Sequence, residues 1–296
     1  MSTGGTRPGV ARFRSARARE KFQRGYETAF ALWPRPFERI DVETRFGPTC
    51  VHRHGPREGT PIVLLHGHGG NGSLWYPQVA ALAAEHPVYA VDAIDDPGGS
   101  TQSAPLTGSQ DYAVWLDEVL TGLGLTRVHL VGHSYGGWLA LNHASRRPDQ
   151  VATMTALDPA GIEDVRIRFL FSGIVGMLRL VTRSRTLPRL ARRTANAALV
   201  IDWRVFGRVL DAAFTFGPQR TAGRRYTDAE LSAIKAPALV LIGGRTTLFH
   251  PASAAERIRA LIPHARVETI EGAGHGLQFE FPDRVNAAIL ANAARA

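Results

Sequence analysis

From residue 62 onward the chain repeats one pattern, a short and continuously apolar run followed by a stretch with helical periodicity. The apolar runs are 62–65, 88–91, 128–131 and 152–157 and then, after an interruption, 238–242, with a last strand-like piece at 266–270; the helical stretches are 77–84, 111–123, 135–146, 252–261 and 283–294. Short runs that are apolar throughout, rather than on alternate residues, are expected of strands covered by helices on both sheet faces. Strand–helix alternation in turn implies parallel strands joined by right-handed crossovers, an α/β architecture. Two further strand-like pieces, 40–46 and 49–54, are separated by Gly47-Pro48.

The interruption, 161–225, is helical in pattern, apolar and arginine-rich, with Pro188 punctuating it. It reads as a helical lid inserted over one end of the sheet. The expected organisation is therefore an N-terminal basic segment with a helix over 1–36, a core over 37–160 and 226–296, and the lid between. Within the N-terminal segment, Gly, Ser, Thr and Pro make 1–10 a disordered lead, and the pattern predicts a helix over 12–32 that ends before Trp33-Pro34.

Composition narrows the function classes. At 296 residues and 44% hydrophobic, the chain can bury a sizeable core without disulfides or metal. The single cysteine, Cys50, excludes an intrachain disulfide and a cysteine zinc cluster, and its strand-like context suggests a half-buried structural thiol. The net charge of +9 comes almost wholly from arginine, since only Lys21 and Lys235 are lysines. No basic motif with interleaved aromatics appears, so no nucleic-acid partner is expected. The cluster Arg12, Arg14, Arg17 and Arg19 resembles a targeting address, but Glu20 and the lack of a long amphipathic run argue against one. The most apolar stretch, 169–181, is too short to span a bilayer and contains Arg179. These features predict a soluble, cytoplasmic protein with no stable membrane insertion, and leave the oligomeric state open.

The sharpest chemical signal is Gly132-His133-Ser134-Tyr135-Gly136, a G-x-S-x-G pattern between an apolar strand and an apolar helix. In that context Ser134 sits on a tight strand-to-helix turn that lifts its hydroxyl above the sheet, with the helix N-terminus behind it. Here the chain resembles the α/β-hydrolase family, and within it the bacterial carboxylesterase-like members, over about residues 39–294. The resemblance implies a mostly parallel sheet of about eight strands flanked by helices, with the lid after the sixth strand. It also implies Ser134 as nucleophile.

Other motifs of the family can be placed residue by residue. His66-Gly67-His68-Gly69-Gly70 resembles the family's His-Gly loop after the third strand, which assigns the backbone N–H groups of His68 and Tyr135 to an oxyanion hole. Among 11 histidines, His275 alone stands in a small-residue turn just past the last strand, matching the family's Gly-x-Gly-His position and the role of general base. His66 reads as a loop stabiliser and His133 as packing beneath the elbow.

The acid departs from the pattern. The usual Gly-x-x-Asp turn after the seventh strand here places Thr246 where the aspartate is expected, and no carboxylate occurs between Gly243 and Glu256. Some relatives carry the acid after the sixth strand instead, a position that falls on Asp158, followed by Pro159. Asp158 is therefore the candidate acid. A plain turn aspartate, a role for Glu163 or Asp164, or a Ser–His pair without an acid remain alternatives.

Trp75, Trp138 and Phe249 lie near these motifs, either lining an apolar pocket or filling the core. The expected activity is hydrolysis of a carboxylic ester of a small to medium apolar substrate through an acyl-enzyme, with no metal or organic cofactor. A thioesterase, a lactonase, an amidase or a non-hydrolytic cyclase would use the same residues. A non-catalytic ligand-binding member of the fold would explain the missing acid at Thr246.

Overall fold

The computed structural model describes residues 9–167, 169, 207, 209, 215–217 and 223–296. The main sheet has eight strands: β2 (Glu38–Val42), β3 (Thr49–His54), β4 (Ile62–Leu65), β5 (Val88–Val91), β6 (Val128–His133), β7 (Val151–Leu157), β9 (Ala238–Gly243) and β10 (Arg266–Ile270). Their spatial order is β10-β9-β7-β6-β4-β5-β3-β2. The six strands from β5 to β10 across this order pair in parallel, and β3 and β2 extend the sheet antiparallel at one edge. The α/β expectation is met: β4, β6, β7 and β9 are buried along their whole length, as strands with both faces covered must be.

The helices are α1 (Ala16–Phe30), α2 (Tyr76–Leu82), α3 (Ser109–Gly122), α4 (Tyr135–Arg146), α5 (Asp228–Ser232), α6 (Pro251–Leu261), α7 (Leu277–Glu280) and α8 (Pro282–Ala293), among the described residues. They enclose two apolar clusters. One holds Trp115, Leu116, Leu130, Trp138, Met154, Ile242 and Phe249. The other holds Phe22, Tyr26, Phe30, Ile62, Leu64, Trp75 and Ile289, so α1 lays its apolar face on the sheet. No helix among the described residues is long and apolar enough to cross a membrane.

Two elements differ from the sequence reading. The predicted helix over 12–32 begins only at Ala16, because the Ser15 side chain caps it by accepting the Ala18 N–H at 3.2 Å. Just before it, β1 (Arg12–Phe13) pairs antiparallel with β8 (Phe216–Gly217), a long-range contact that periodicity does not reveal. The strand predicted over 40–46 instead runs Glu38–Val42, since the chain turns at 44–47. There the Gly47 N–H donates to the Thr44 carbonyl at 2.9 Å, and the Thr44 hydroxyl donates to the Gly47 carbonyl at 2.6 Å. The predicted disordered lead lies outside the described residues except for Gly9 and Val10, and most of the predicted lid, 161–225, also lies outside them. Cys50 is fully rather than half buried, and burial pushes its thiol well up from the ordinary range.

Three core histidines are held neutral by burial. His129 and His143 are lowered to about 4 and His133 to about 3. Their folded pKa values lie below that of an unfolded histidine, so the unfolded chain binds more protons below about pH 6.5. Stability should therefore be intact above that pH and fall as acid is added, by roughly 1.4 kcal/mol per pH unit for each such histidine. Denaturant titrations between pH 7 and 5 should show this slope, and His129→Gln should make it shallower by one histidine's share. An unchanged slope in that variant would remove His129 from the account.

Candidate active site

The site lies at the carboxyl ends of β4, β6, β7, β9 and β10. Ser134 follows β6 directly and precedes α4, with φ +53° and ψ −112°. Among the described residues, the non-glycine residues with positive φ are Ser134 and Asp158. Such backbone costs of order 1–3 kcal/mol and persists where surrounding structure enforces it. Around Ser134 the enforcement is visible. Its N–H donates to the Leu157 carbonyl at 2.9 Å, and its carbonyl accepts from Trp138 and Ala160, both at 3.0 Å. A Cβ at Gly132 would strike the Gly136 carbonyl, and one at Gly136 would strike the Leu65 carbonyl, so the bend requires both glycines.

His275 is carried by the turn after β10 and is only 8% exposed. Its Nε2 lies 2.9 Å from Ser134 Oγ and its Nδ1 lies 2.6 Å from Asp158 Oδ2. A carboxylate can only accept, so Nδ1 carries the hydrogen and Nε2 presents its lone pair to the serine hydroxyl. Local contacts hold the turn. The carbonyl of His275 accepts from His133 Nε2 at 2.8 Å, Gly274 N–H donates to the Glu280 carboxylate at 3.1 Å, and Arg245 N–H donates to the Ala273 carbonyl at 2.8 Å. Burial, followed by the neighbouring His275, keeps His133 neutral as this donor. The packing role read for His133 thus becomes a specific tether.

Asp158, fully buried, ends β7. Beyond His275, its Oδ1 accepts the Gly243 N–H at 3.1 Å, and its Oδ2 accepts the Thr246 hydroxyl at 2.5 Å. Thr246 Oγ1 itself accepts the Leu248 N–H at 3.2 Å, which aims the threonine. The residue standing where a carboxylate was expected is thus a donor to the carboxylate on the neighbouring strand. Glu163 faces elsewhere, accepting from the Ser253 hydroxyl and, at 3.3 Å, from the His250 N–H. Asp164 is paired with Arg225 at 3.6 Å and is largely exposed.

The loop after β4 packs against the serine: a Cβ at Gly67 would lie 3.4 Å from Ser134 Cβ. Buried Asp96 fixes that loop, its Oδ1 accepting the Gly69 N–H at 3.0 Å and His68 Nδ1–H at 3.1 Å. His66 accepts the Ala93 N–H on Nε2 at 2.9 Å, which leaves Nδ1–H to donate to the Gly67 carbonyl at 2.9 Å. Its reading as a loop stabiliser agrees with these bonds. Tyr135 opens α4, its hydroxyl buried against Asp95 at 3.1 Å while its backbone lies beside Ser134.

Trp75, Trp138 and Phe249 are each no more than 1% exposed and belong to the packed core. Trp138 stacks between Tyr135 and Tyr226 and donates its indole N–H to the Arg224 carbonyl at 3.0 Å. Phe169, which the motifs did not single out, stands edge-on to His275 with ring centroids 5.0 Å apart. Thr246 and Phe169 are the residues of this site that sequence reasoning passed over. The vacancy at 246 was a signal for the first, whereas the second opens the apolar stretch 169–181 with no motif to place it beside His275.

Among the described residues one cluster has metal-ligand composition, Cys50, His52 and Asp92, with their ligand atoms within 4.8 Å of one another. Asp92 is already occupied by the N–H groups of Gly72 and Gly99, both at 2.6 Å, and by the Tyr26 hydroxyl at 2.5 Å. Burial also holds Cys50 away from thiolate. This chemistry suits a structural hydrogen-bond network.

Comparison with known proteins agrees with this geometry. The profile of the alpha/beta hydrolase family matches residues 62–288. Carboxylesterase YbfK of Bacillus subtilis is 32% identical over 91% of this chain and 92% of its own. The uncharacterized carboxylesterase nap of the same organism is 29% identical over 91% of each chain. The crystal structure of naproxen esterase (carboxylesterase NP) from Bacillus subtilis superposes with a TM-score of 0.80 at 28% identity, covering 92% of this chain and 96% of that one. On the strength of the profile match and these relatives, the chain belongs to the alpha/beta hydrolase family.

Proposed function

We propose that this protein is a serine hydrolase that cleaves carboxylic esters, with Ser134, His275 and Asp158 as its catalytic triad. The observation that carries the proposal is the continuous relay from Ser134 Oγ through His275 to Asp158 Oδ2, with gaps of 2.9 and 2.6 Å. Carboxylesterase relatives that span most of the chain support an ester substrate.

In the first half-reaction Ser134 Oγ attacks the ester carbonyl carbon while His275 Nε2 takes the hydroxyl proton. The carbonyl oxygen becomes an oxyanion, held by the N–H groups of His68 and Tyr135. Asp158 stabilises the imidazolium that forms. His275 then returns the proton to the departing alkoxide, leaving an acyl group on Ser134. Water, deprotonated by His275, attacks that acyl carbon; Ser134 leaves and recovers its proton, and the carboxylic acid is released. Every step needs only groups of this chain and water. The edge of Phe169 beside His275 supports an apolar acyl or alkyl group on the substrate.

The non-catalytic alternative rested on the missing carboxylate at Thr246, and the Asp158 contact takes away that ground. A fluorophosphonate probe should label wild-type protein on Ser134 and leave Ser134→Ala unlabelled. A panel of p-nitrophenyl esters of rising acyl length, run beside a thioester and an amide, should be turned over with esters preferred. Absence of both labelling and turnover would defeat the proposal.

The acid and its prop give a second test. Asp158→Asn should lower kcat by about 100-fold or more, since the imidazole loses its oriented partner, with little change in folding. Thr246→Val, which removes one donor from Asp158, should lower kcat by about tenfold with KM nearly constant. Thr246→Ser should restore most of it. Equal kcat in Asp158→Asn and wild type would take Asp158 out of the mechanism.

A further inference from the structure

Away from Ser134, Asp158 and His275, the structure contains a cavity of about 680 Å³. Its walls are the first turns of α1, strand β1, Phe216 of β8 and the 98–103 loop that follows β5. This volume lies within the range of small-molecule sites, roughly 300–1,000 Å³. Three arginines line it, Arg12, Arg19 and Arg39, and among the described residues no aspartate or glutamate does. Arg39 is paired with Asp41 at 3.0 Å. Arg12 and Arg19 make no side-chain hydrogen bond or ion pair with any described residue. The opposite chemistry is also present. Phe13 packs on Phe22 and on Phe216 at centroid distances of 5.0 and 4.9 Å, and all three residues line the cavity, with Phe22 buried behind the other two.

The arrangement explains part of the arginine run at the N-terminus. Arg12 and Arg19 are brought to one cavity because β1 ends and α1 begins between them, at the Ser15 cap. The positive end of α1 opens at the same rim, where Ser15 and Ala16 line it, and adds to the field of the guanidinium groups. Guanidinium groups with no partner among the described residues, set beside a patch of aromatic side chains, select a ligand that carries both an anionic head and an apolar body.

We propose that this cavity is a binding site for a small anionic amphiphile, a carboxylate or sulfonate attached to an aromatic or alkyl body. The head is held by Arg12 and Arg19 and the body rests on Phe13, Phe22 and Phe216. None of the residues assigned to ester cleavage lines the cavity. The proposal therefore stands or falls apart from the proposed function.

The test is calorimetric and fluorescence titration of the full chain with anilinonaphthalene sulfonate, with uncharged phenylnaphthylamine as control. Two variants separate charge from space. Arg12→Glu with Arg19→Glu reverses the charge, whereas Ala16→Trp keeps every arginine and fills the cavity. Unchanged thermal unfolding temperatures establish that both variants fold. The expected result is saturable binding to wild type that weakens about tenfold or more in each variant and on raising the salt concentration, with the uncharged dye binding far less tightly. No saturable binding to wild type, or an affinity left within threefold in either variant, overturns the proposal.

Discussion

A polar group sealed from water must find hydrogen-bond partners, and fully buried Asp158 imposes that requirement on the whole site. Its donors come from the end of β9, from the turn after β9 and from the turn after β10. Three chain segments far apart in sequence are thus drawn to one buried charge. The same contact fixes the imidazole tautomer, and so which nitrogen faces Ser134.

Asp158 is one case of a wider arrangement. Asp92, Asp95 and Asp96 are also buried, all just past the carboxyl end of β5. Asp92 gathers Gly72, Gly99 and Tyr26; Asp95 gathers Tyr112 and Tyr135; Asp96 gathers His68 and Gly69. The parallel strands deliver their loops to one edge, and buried aspartates there lock the loops by accepting their N–H and O–H groups. The rigidity that the proposed oxyanion site would need is supplied by these bonds and by the strained elbow, not by apolar packing alone.

Much of this was legible in the sequence. The continuous apolar runs located the main strands to within a residue or two, because strands covered on both faces have no polar side to confuse the pattern. Ser134 and His275 were legible because each sits in a local motif that its backbone geometry demands. Asp158 was not settled in the same way: which strand end stands beside the imidazole depends on lateral pairing of β7 with β6 and β9, and no local window contains that pairing. Thr246 appeared only as a missing acid, since its hydroxyl acquires meaning from a neighbour 88 positions earlier. The pairing of β1 with β8 was hidden for the same reason. Trp75, Trp138 and Phe249 lay near the motifs in sequence yet belong to the core, because adjacency along a chain does not say which way a side chain turns.

The proposed nucleophile and acid hang from adjacent strands, β6 and β7, with His133 opposite Leu157 in the ladder. Their spacing is consequently set by backbone pairing inside the sheet. The imidazole has a different mounting, a short turn beyond the sheet held by a few bonds to His133, Glu280 and Arg245. Any breathing of that turn would swing one ring between two stationary oxygens, interrupting proton traffic without disturbing either of them.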